Sequence, residues 1–272
     1  MKINRRRFVI TFFFGFIGFL FLDAFWIEKY IVRWHTYDLA DSGEDPIKVI
    51  QLTDLHIREI KPYHSWIAKR INKEQPDLLF FTGDSINKTH QLPLLESFVS
   101  SIDKSIPKVV IMGNKEYDGR ITPDMYAELF EKYNGKILVN EAFLFEKGKR
   151  KINIVGTDDL LCGRPNFELA VENMDASLDT IVLNHCPEYR DEIDKLNTTL
   201  QVNIKLILSG HTHGGQVQFL GKEFFKPRGS GRYLNGWYES NQSRMYVSKG
   251  IGTSRHLPIR FGARAEAPTF YI

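Results

Sequence analysis

Two histidines one residue apart, His211 and His213, stand in the string GHTHGGQ, which begins at Gly210. The string directly follows the apolar run 204–208, and such a run predicts a buried strand. Side chains at alternate positions of an extended segment point to the same face, so both imidazoles are directed to one place. The neighbouring glycines allow close approach of the backbone. Imidazoles paired in this way favour a divalent metal ion.

Four further polar clusters follow apolar runs in the same manner. They are Asp54-Leu55-His56 after the run 47–52, Gly83-Asp84 after 78–81, Gly113-Asn114-Lys115-Glu116 after 109–112, and Asn184-His185 after 181–183. Each run has the length of a buried strand. In open α/β sheets, ligands bind in the crevice outside the carboxyl ends of the strands. We therefore expect all five clusters to converge on one site.

The residue types indicate the metal. Two aspartates, four histidines and one asparagine favour Mn, Fe or Zn over copper(I) or an iron–sulfur cluster, since no motif contributes a thiolate. These side chains are too many for one ion, and Asp84 is placed to bridge two ions roughly 3.5–4 Å apart. Such an ion pair lowers the pKa of bound water and neutralises the oxygens of an in-line displacement at phosphorus. The sequence predicts two divalent ions and hydrolysis of a phosphoester.

The order D-x-H, GD, GN-x-E, H, GHxH resembles the motif series of the calcineurin-like metallophosphoesterase superfamily, over roughly residues 47–272. The basic N-terminus and the GHTHGGQ string are similar to its small membrane-associated or exported bacterial branch, the YaeI/YkuE type. The resemblance implies an α/β fold, a four-layer α-β-β-α sandwich of two mixed sheets. It also implies two ligand sets, which are Asp54, His56, Asp84 and His213 for one ion and Asp84, Asn114, His185 and His211 for the other.

Catalytic roles are expected for Asn114, Lys115, Glu116 and His211. Lys115 departs from the family, which has at this position a histidine thought to protonate the leaving group. The usual pKa of lysine, about 10.4, makes its ammonium a poor proton donor at neutral pH, although its charge would stabilise phosphoryl oxygens. Activated diesters or pyrophosphates are then favoured over alkyl monoesters. The alternative is a solvated Lys115 that points away from the site.

Composition indicates an ordinary enzyme body with one large core, since 43% of the 272 residues are hydrophobic and 25% are charged. The net charge of +3 is mild and the basic residues are scattered, so no nucleic-acid partner is expected. Cys162 and Cys186 do not form a disulfide framework in a chain of this length. Near the C-terminus, His256 and Arg260 of the segment GIGTSRHLPIR are candidates for substrate contacts.

The N-terminus carries Asn4-Arg5-Arg6-Arg7 and then an apolar run over 8–22. The arginines resemble a twin-arginine export signal, and the run is short for a membrane span, which needs about 20 residues. No clean A-x-A cleavage site follows, so we expect an uncleaved anchor or a slowly cleaved signal with the arginines on the cytoplasmic side. These features predict a signal or anchor at 1–27, a juxtamembrane segment at 28–45 and a phosphoesterase domain at 46–272, located in the bacterial envelope.

Short apolar runs that alternate with amphipathic segments indicate an α/β sheet. Helices are predicted at 63–73, 92–104, 123–133, 167–173 and 188–196. Besides the runs before the clusters, strands are predicted at 143–145, 153–156, 216–220, 245–248 and 269–272. The segment 226–237, rich in Gly, Arg and aromatic residues, is predicted to be a loop that borders the site.

Together these features predict a membrane-associated phosphodiesterase or pyrophosphatase with two metal ions. Candidate substrates are a lipid-linked or sugar-nucleotide diphosphate and a wall-polymer phosphodiester, because related enzymes hydrolyse UDP-diacylglucosamine in lipid A biosynthesis. The alternative is a metal-binding sensory or regulatory protein that has kept the ligands and lost turnover. This alternative rests on Lys115, which replaces the histidine that the family has at this position.

Overall fold

The computed structural model describes residues 4–41, 45–219, 221–254 and 257–272. Its strands are β1 (Thr36–Asp38), β2 (Lys48–Leu52), β3 (Leu78–Thr82), β4 (Lys108–Ile111), β5 (Gly135–Ile137), β6 (Glu141–Lys147), β7 (Arg150–Gly156), β8 (Thr180–Leu183), β9 (Ile204–Ser209), β10 (Gln218–Phe219), β11 (Lys222–Glu223), β12 (Gly236–Glu239), β13 (Arg244–Val247) and β14 (Thr269–Tyr271). Its helices are α1 (Arg5–Leu22), α2 (Glu28–Tyr30), α3 (Pro62–Glu74), α4 (Leu92–Ser100), α5 (Asn114–Asp118), α6 (Pro123–Glu131), α7 (Phe167–Val171) and α8 (Arg190–Leu200).

The strands form two six-stranded sheets and one small hairpin. The first sheet has the order β1-β14-β2-β3-β4-β5, and the second has the order β12-β13-β9-β8-β7-β6. In the first sheet β2 to β5 are parallel, while β14 runs antiparallel to β2. In the second sheet β13, β9, β8 and β7 are parallel, and the edge strands β12 and β6 are antiparallel to their neighbours. Both sheets are mixed, as predicted.

Alternation of side chains along the strands produces the layers. Val49 and Phe80 point into a core between the two sheets, where they meet Ile181 of the second sheet. Their neighbours Ile50 and Phe81 point the other way, into a cluster shared with α3, α4 and α6. The outer face of the second sheet packs on α7 and α8 in the same manner. The four-layer α-β-β-α sandwich is therefore confirmed.

The predicted elements differ from the structure mainly at their edges. All five predicted helices are present, but α4 ends at Ser100 and α8 begins only at Arg190, after a 3₁₀ turn at Pro187–Tyr189. Within the range 216–220 predicted as a strand, β10 covers only Gln218–Phe219, and it pairs with β11 in a hairpin outside both large sheets. The short strands β1, β5 and β12 were not predicted, and β12 overlaps the end of the predicted loop 226–237.

An apolar N-terminal helix precedes the sheets. It runs over Arg5–Tyr30 because the π-helical turn Asp23–Ile27 joins α1 to α2. Among the described residues it is the one helix long and apolar enough to cross a membrane, by length and composition, with a mean hydropathy of 2.2. After Tyr30 the chain is attached to the sandwich, since Arg33 pairs with Glu266 and β1 pairs with β14.

Candidate metal centre

The predicted site residues meet at the carboxyl ends of the parallel strands. The first sheet supplies Asp54 and His56 after β2, Asp84 after β3, and Asn114 at the start of α5 after β4. The second sheet supplies His185 after β8, and His211 and His213 after β9. The two packed sheets therefore bring together side chains that lie far apart in the sequence.

One group of side chains surrounds Asp54. The Nε2 atoms of His56 and His213 are 3.0 Å apart, and their rings stack with centroids 4.9 Å apart. Asp54 Oδ1 lies 3.5 Å from His213 Nε2 and 3.9 Å from His56 Nε2. Asp84 Oδ2 completes the group at 3.7 Å from His56 Nε2. Two imidazoles and two carboxylates thus point their acceptor atoms at one small volume.

A second group lies on the other side of Asp84. Its Oδ1 atom is 3.3 Å from His185 Nε2, and the rings of His185 and His211 meet edge to face with centroids 5.2 Å apart. His211 Nδ1 lies 3.1 Å from Asn114 Oδ1. The two oxygens of Asp84 therefore face two different sets of side chains, which is the geometry expected of a bridging carboxylate.

Two buried atoms in this centre have no hydrogen-bond partner, namely Asp54 Oδ1 and His185 Nε2. The other oxygen of Asp54 accepts hydrogen bonds from Thr53 Oγ1 and from the backbone nitrogen of His211, both at 2.9 Å. Buried polar atoms are normally paired, and an unpaired carboxylate oxygen is costly. Both orphan atoms face the neighbouring candidate ligands. A divalent cation would satisfy them, so the residues fit the metal chemistry that the motifs predict.

Neighbouring acceptors fix which ring nitrogen of three histidines is free. His56 Nδ1 lies 2.6 Å from Asn87 Oδ1, His185 Nδ1 lies 2.8 Å from the carbonyl oxygen of Thr82, and His211 Nε2 lies 2.7 Å from the carbonyl oxygen of Arg228. An acceptor at one nitrogen holds the proton there and leaves the lone pair on the other nitrogen. The free atoms are then Nε2 of His56, Nε2 of His185 and Nδ1 of His211. These are the atoms that point into the two groups.

The ionisation of the centre follows from its two buried carboxylates. Burial alone would lower the pKa of His185, but the charges of Asp84 and Asp54 outweigh it and raise this pKa to about 10. Burial would raise the pKa of Asp84, yet His185 and His56 hold it well below its usual range. Burial lowers the pKa of His211 to about 4. The two carboxylates therefore favour positive charge at this position.

Five of these side chains stand on left-handed backbone. The φ values are 52° at Asp54, 44° at His56, 54° at Asp84, 71° at His211 and 51° at His213. This region costs a non-glycine residue on the order of 1 kcal/mol or more, and it concentrates at functional sites. Hydrogen bonds between the loops hold it in place, since the backbone nitrogens of the first two residues donate to the carbonyl oxygens of Gly83 and Asp84 at 3.1 and 3.0 Å.

Comparison with known proteins agrees with this geometry. Residues 47–215 match the family model described as calcineurin-like phosphoesterase. The chain belongs to this family. It is 30% identical over 266 residues to the uncharacterized metallophosphoesterase YkuE of Bacillus subtilis. The aligned region covers 92% of this chain and 88% of the relative. The chain is 26% identical to the phosphodiesterase YaeI of Escherichia coli, over 92% of this chain and 93% of the relative.

The fold is shared with a solved structure of low sequence similarity. TT1561 of Thermus thermophilus has a TM-score of 0.50 and 11% identity, over 76% of this chain and 91% of that chain. The resemblance to the calcineurin-like family and to its YaeI/YkuE type is confirmed, and so is the expectation of a metal-dependent phosphoesterase. The clusters of histidine and aspartate described above are consistent with divalent metal binding in this family.

Glu116 of this calcineurin-like phosphoesterase faces away from both groups. Its carboxylate accepts hydrogen bonds from the backbone nitrogens of Asp84, Ser85 and Gly113 at 2.9, 2.7 and 2.9 Å. The hydroxyl of Tyr126 donates a further hydrogen bond at 2.7 Å. Burial raises the pKa of Glu116 to about 7, against these donors. Glu116 thus positions the loop that carries Asp84, and its catalytic role stays a prediction.

Lys115 also points away from the candidate centre. Its ammonium forms an ion pair with Asp118 at 2.7 Å, and its side chain is 40% exposed. Burial lowers the pKa of Lys115, but the hydrogen bond and charge of Asp118 outweigh it and leave the pKa raised. The backbone nitrogen of Lys115 donates to Asp84 Oδ1 at 2.8 Å. Of the two alternatives left open by the sequence, the structure favours the one in which the ammonium is partly solvated.

The two substrate-contact candidates have different outcomes. His256 lies outside the described residues. Arg260 is fully buried, and its guanidinium donates to the carbonyl oxygens of Gly252 and Ala263 at 2.9 and 2.8 Å. It also lies 3.4 Å from His213 Nδ1. Arg260 therefore sits behind His213 rather than at a surface where a substrate binds, because its donors are already directed at protein atoms.

Cys186, which directly follows His185 in the sequence, lies beside the centre. It groups with His185 and His211, with potential ligand atoms within 4.8 Å of one another. Its thiol donates to Asp159 Oδ1 at 3.3 Å, and burial raises its pKa well above the usual value. A protonated thiol that is engaged as a donor packs beside the centre and adds no thiolate to it.

Sequence reasoning missed the groups that orient the histidines. Asn87 stands three residues after Asp84 in the string GDSIN, so the string held a usable signal. The carbonyl oxygens of Thr82 and Arg228 carry no such signal, because every residue has a carbonyl. The expectation that segment 226–237 borders the site agrees with the position of Arg228.

Proposed function

We propose that this calcineurin-like phosphoesterase holds two divalent ions, Mn, Fe or Zn, and hydrolyses phosphodiesters or pyrophosphates at the membrane or in the envelope. Asp84 carries the proposal, because its two oxygens face two separate groups of side chains at 3.7 and 3.3 Å. The ligands assigned to one ion are Asp54, His56, Asp84 and His213, and those assigned to the other are Asp84, Asn114, His185 and His211.

When bound, two such ions supply an activated water and neutralise charge at phosphorus. The protein contributes rigidity. Asp84 is fixed by the backbone nitrogen of Lys115 at Oδ1, and its loop is held by Glu116. The carbonyl oxygen of Arg228 keeps the proton of His211 on Nε2 and so keeps Nδ1 directed at Asn114. Ligands held in this way need little rearrangement during the reaction.

The position of Lys115 supports a substrate with a good leaving group. Its ammonium is paired with Asp118, and its raised pKa makes it a weak acid. The family position that would protonate an alkoxide therefore offers no ready proton here. Nitrophenolate, or the phosphate half of a diphosphate, leaves without that proton, so a diester or a pyrophosphate bond suits this site better than an alkyl monoester.

The apolar N-terminal helix supports action at the membrane. It is 26 residues long, and only 6% of its most apolar window is buried in the protein. Its length and composition suit an anchor or an export signal equally. With the domain attached at the end of this helix, a lipid-linked or sugar-nucleotide diphosphate such as a UDP-diacylglucosamine-like molecule is our candidate substrate class.

Hydrolysis by metal-stripped and metal-loaded protein tests the proposal. We expect turnover of bis-p-nitrophenyl phosphate only after addition of Mn²⁺, Zn²⁺ or Fe²⁺, faster turnover of this diester than of an alkyl monoester, and two ions per chain by mass spectrometry. A UDP-diacylglucosamine arm in mixed micelles tests the substrate class separately. Two bound ions without turnover of any diester or pyrophosphate would favour a metal-binding sensory protein.

A further inference from the structure

A short aromatic hairpin projects from the chain directly after the histidine string. It consists of β10 and β11, and it is followed by Phe224 and Phe225. Phe219 in β10 is 58% exposed, Phe224 is 75% exposed and Phe225 is 67% exposed. Exposed aromatic side chains clustered in this way mark an interaction surface more often than isolated exposed ones do.

The base of this hairpin is attached to the end of the apolar helix. The backbone nitrogen of Gln218 donates to the carbonyl oxygen of Phe261 at 2.7 Å, and the nitrogen of Phe261 donates back to Gln216 at 3.0 Å. The preceding residue, Arg260, donates through its backbone nitrogen to the carbonyl oxygen of Ala24 at 3.0 Å. Consecutive residues are about 3.8 Å apart, so the end of the helix and the base of the hairpin lie close together.

The charges around the hairpin suit a lipid headgroup layer. Lys222 in β11, Lys226 and Arg228 are basic, and Glu223 is the one acidic residue in segment 216–228. At the helix end, Lys29 Nζ donates to the carbonyl oxygen of Pro258 at 2.8 Å. Phenylalanines flanked by lysine and arginine are the composition with which peripheral segments bind at the membrane interface.

We propose that the β10–β11 hairpin, with Phe224 and Phe225, inserts into the membrane interface beside the N-terminal helix. The proposal rests on the membrane location in the proposed function and extends it. The occupant of this aromatic surface is then the bilayer that the helix enters, because the two apolar features share the segment around Arg260. His213 lies 3.4 Å from the guanidinium of that arginine, so the candidate metal centre would stand at the membrane surface.

Spin labelling of the full chain in vesicles of phosphatidylethanolamine and phosphatidylglycerol tests this insertion. Phe224→Cys is labelled in a Cys162→Ser background, since Cys162 is exposed and Cys186 is buried. Leu169→Cys on α7, where the side chain is 54% exposed, is the matched control, and Phe13→Cys reports on the helix. We expect the labels at 224 and 13 to collide more with oxygen than with a water-soluble nickel complex, and the label at 169 to show the reverse.

The outcomes separate the two proposals. A label at 224 as water-accessible as the one at 169, with the label at 13 in hydrocarbon, would overturn the hairpin proposal and leave the anchored enzyme intact. A water-accessible label at 13 would overturn the membrane location itself, and the hairpin proposal with it. Unchanged hydrolysis of bis-p-nitrophenyl phosphate by each labelled protein shows that the domain is folded.

Discussion

The core between the sheets and the candidate metal centre are both buried, but they differ in chemistry. Ile181 and Phe80 in the core are 0% exposed, and so are Asp54 and His185 in the centre. The core consists of apolar side chains on extended backbone, whose burial stabilises the fold. The centre contains charged groups, orphan polar atoms and left-handed backbone, each of which opposes folding. Stability therefore resides in one region and the strained, reactive geometry in the other.

The sharpest test of this difference is Asp84→Asn. The amide removes the negative charge shared by the two groups, so we expect kcat/KM for bis-p-nitrophenyl phosphate to fall by about 10³-fold or more. Metal content is measured in parallel. Asp118→Asn, which removes a carboxylate that is paired with Lys115 and lies outside both groups, is the control. Full activity with two ions retained in Asp84→Asn would contradict the bridging role.

The converse change is Ile181→Ala in the core. Truncation of a buried isoleucine leaves a cavity and lowers the free energy of unfolding by about 2–5 kcal/mol. We expect kcat/KM per folded molecule to stay within a small factor, because the loops are held by hydrogen bonds among themselves. Urea unfolding and activity below the transition measure both effects, with Leu144→Ala, 45% exposed, as the control. A large loss of activity in folded protein would show that core packing sets the ligand geometry.

His64, a buried histidine outside the centre, can be compared with the histidines of the centre. Burial lowers the pKa of His64 to about 4, and its Nδ1 accepts a hydrogen bond from the backbone nitrogen of Lys61 at 3.0 Å. Stability from the neutral ring is present above the unfolded pKa near 6.5 and is lost as pH falls toward 4. We expect His64→Gln, which keeps an acceptor, to reduce this acid loss by on the order of 2–3 kcal/mol.

Chemical unfolding at several pH values between 7 and 4 checks the His64 prediction, with the exposed His90→Gln as the control. Equal pH slopes in wild type and His64→Gln would mean that His64 is charged in the fold. His185 is buried even more completely, yet the carboxylates beside it raise its pKa to about 10. The neighbours, and not burial alone, then separate a core histidine from a site histidine.

The smallest effect is expected for Lys115→Ala. Its ammonium forms a partly exposed ion pair with Asp118, and such pairs contribute about 0–1 kcal/mol. We expect less than about a threefold change in kcat/KM for both nitrophenyl diester and alkyl monoester, because the backbone nitrogen that holds Asp84 is unchanged. The ratio of the two rates is the informative quantity. A selective loss on the alkyl monoester would show that the ammonium swings into the site and acts as an acid.

The strand-end positions of Asp54, His185 and their partners could be predicted from the sequence alone. A metal site at the ends of strands needs particular side chains directly after them, and these residue types are visible in the sequence. The sequence did not predict that Glu116 turns inward, since a carboxylate within a motif is equally suited to hold backbone nitrogens or to face substrate. It also missed β1 and β5, short edge strands that are formed by pairing with distant residues rather than by a local pattern.

The division of the candidate ligands between the two sheets sets an order of events during folding. Asp54, His56, Asp84 and Asn114 follow strands of one sheet, and His185, His211 and His213 follow strands of the other. Each group draws on both sheets, so neither is complete until the sheets have docked. These contacts are distant in sequence, and such contacts form slowly. A partly folded chain therefore presents only part of either ligand set. The complete candidate metal centre forms only when the fold is complete.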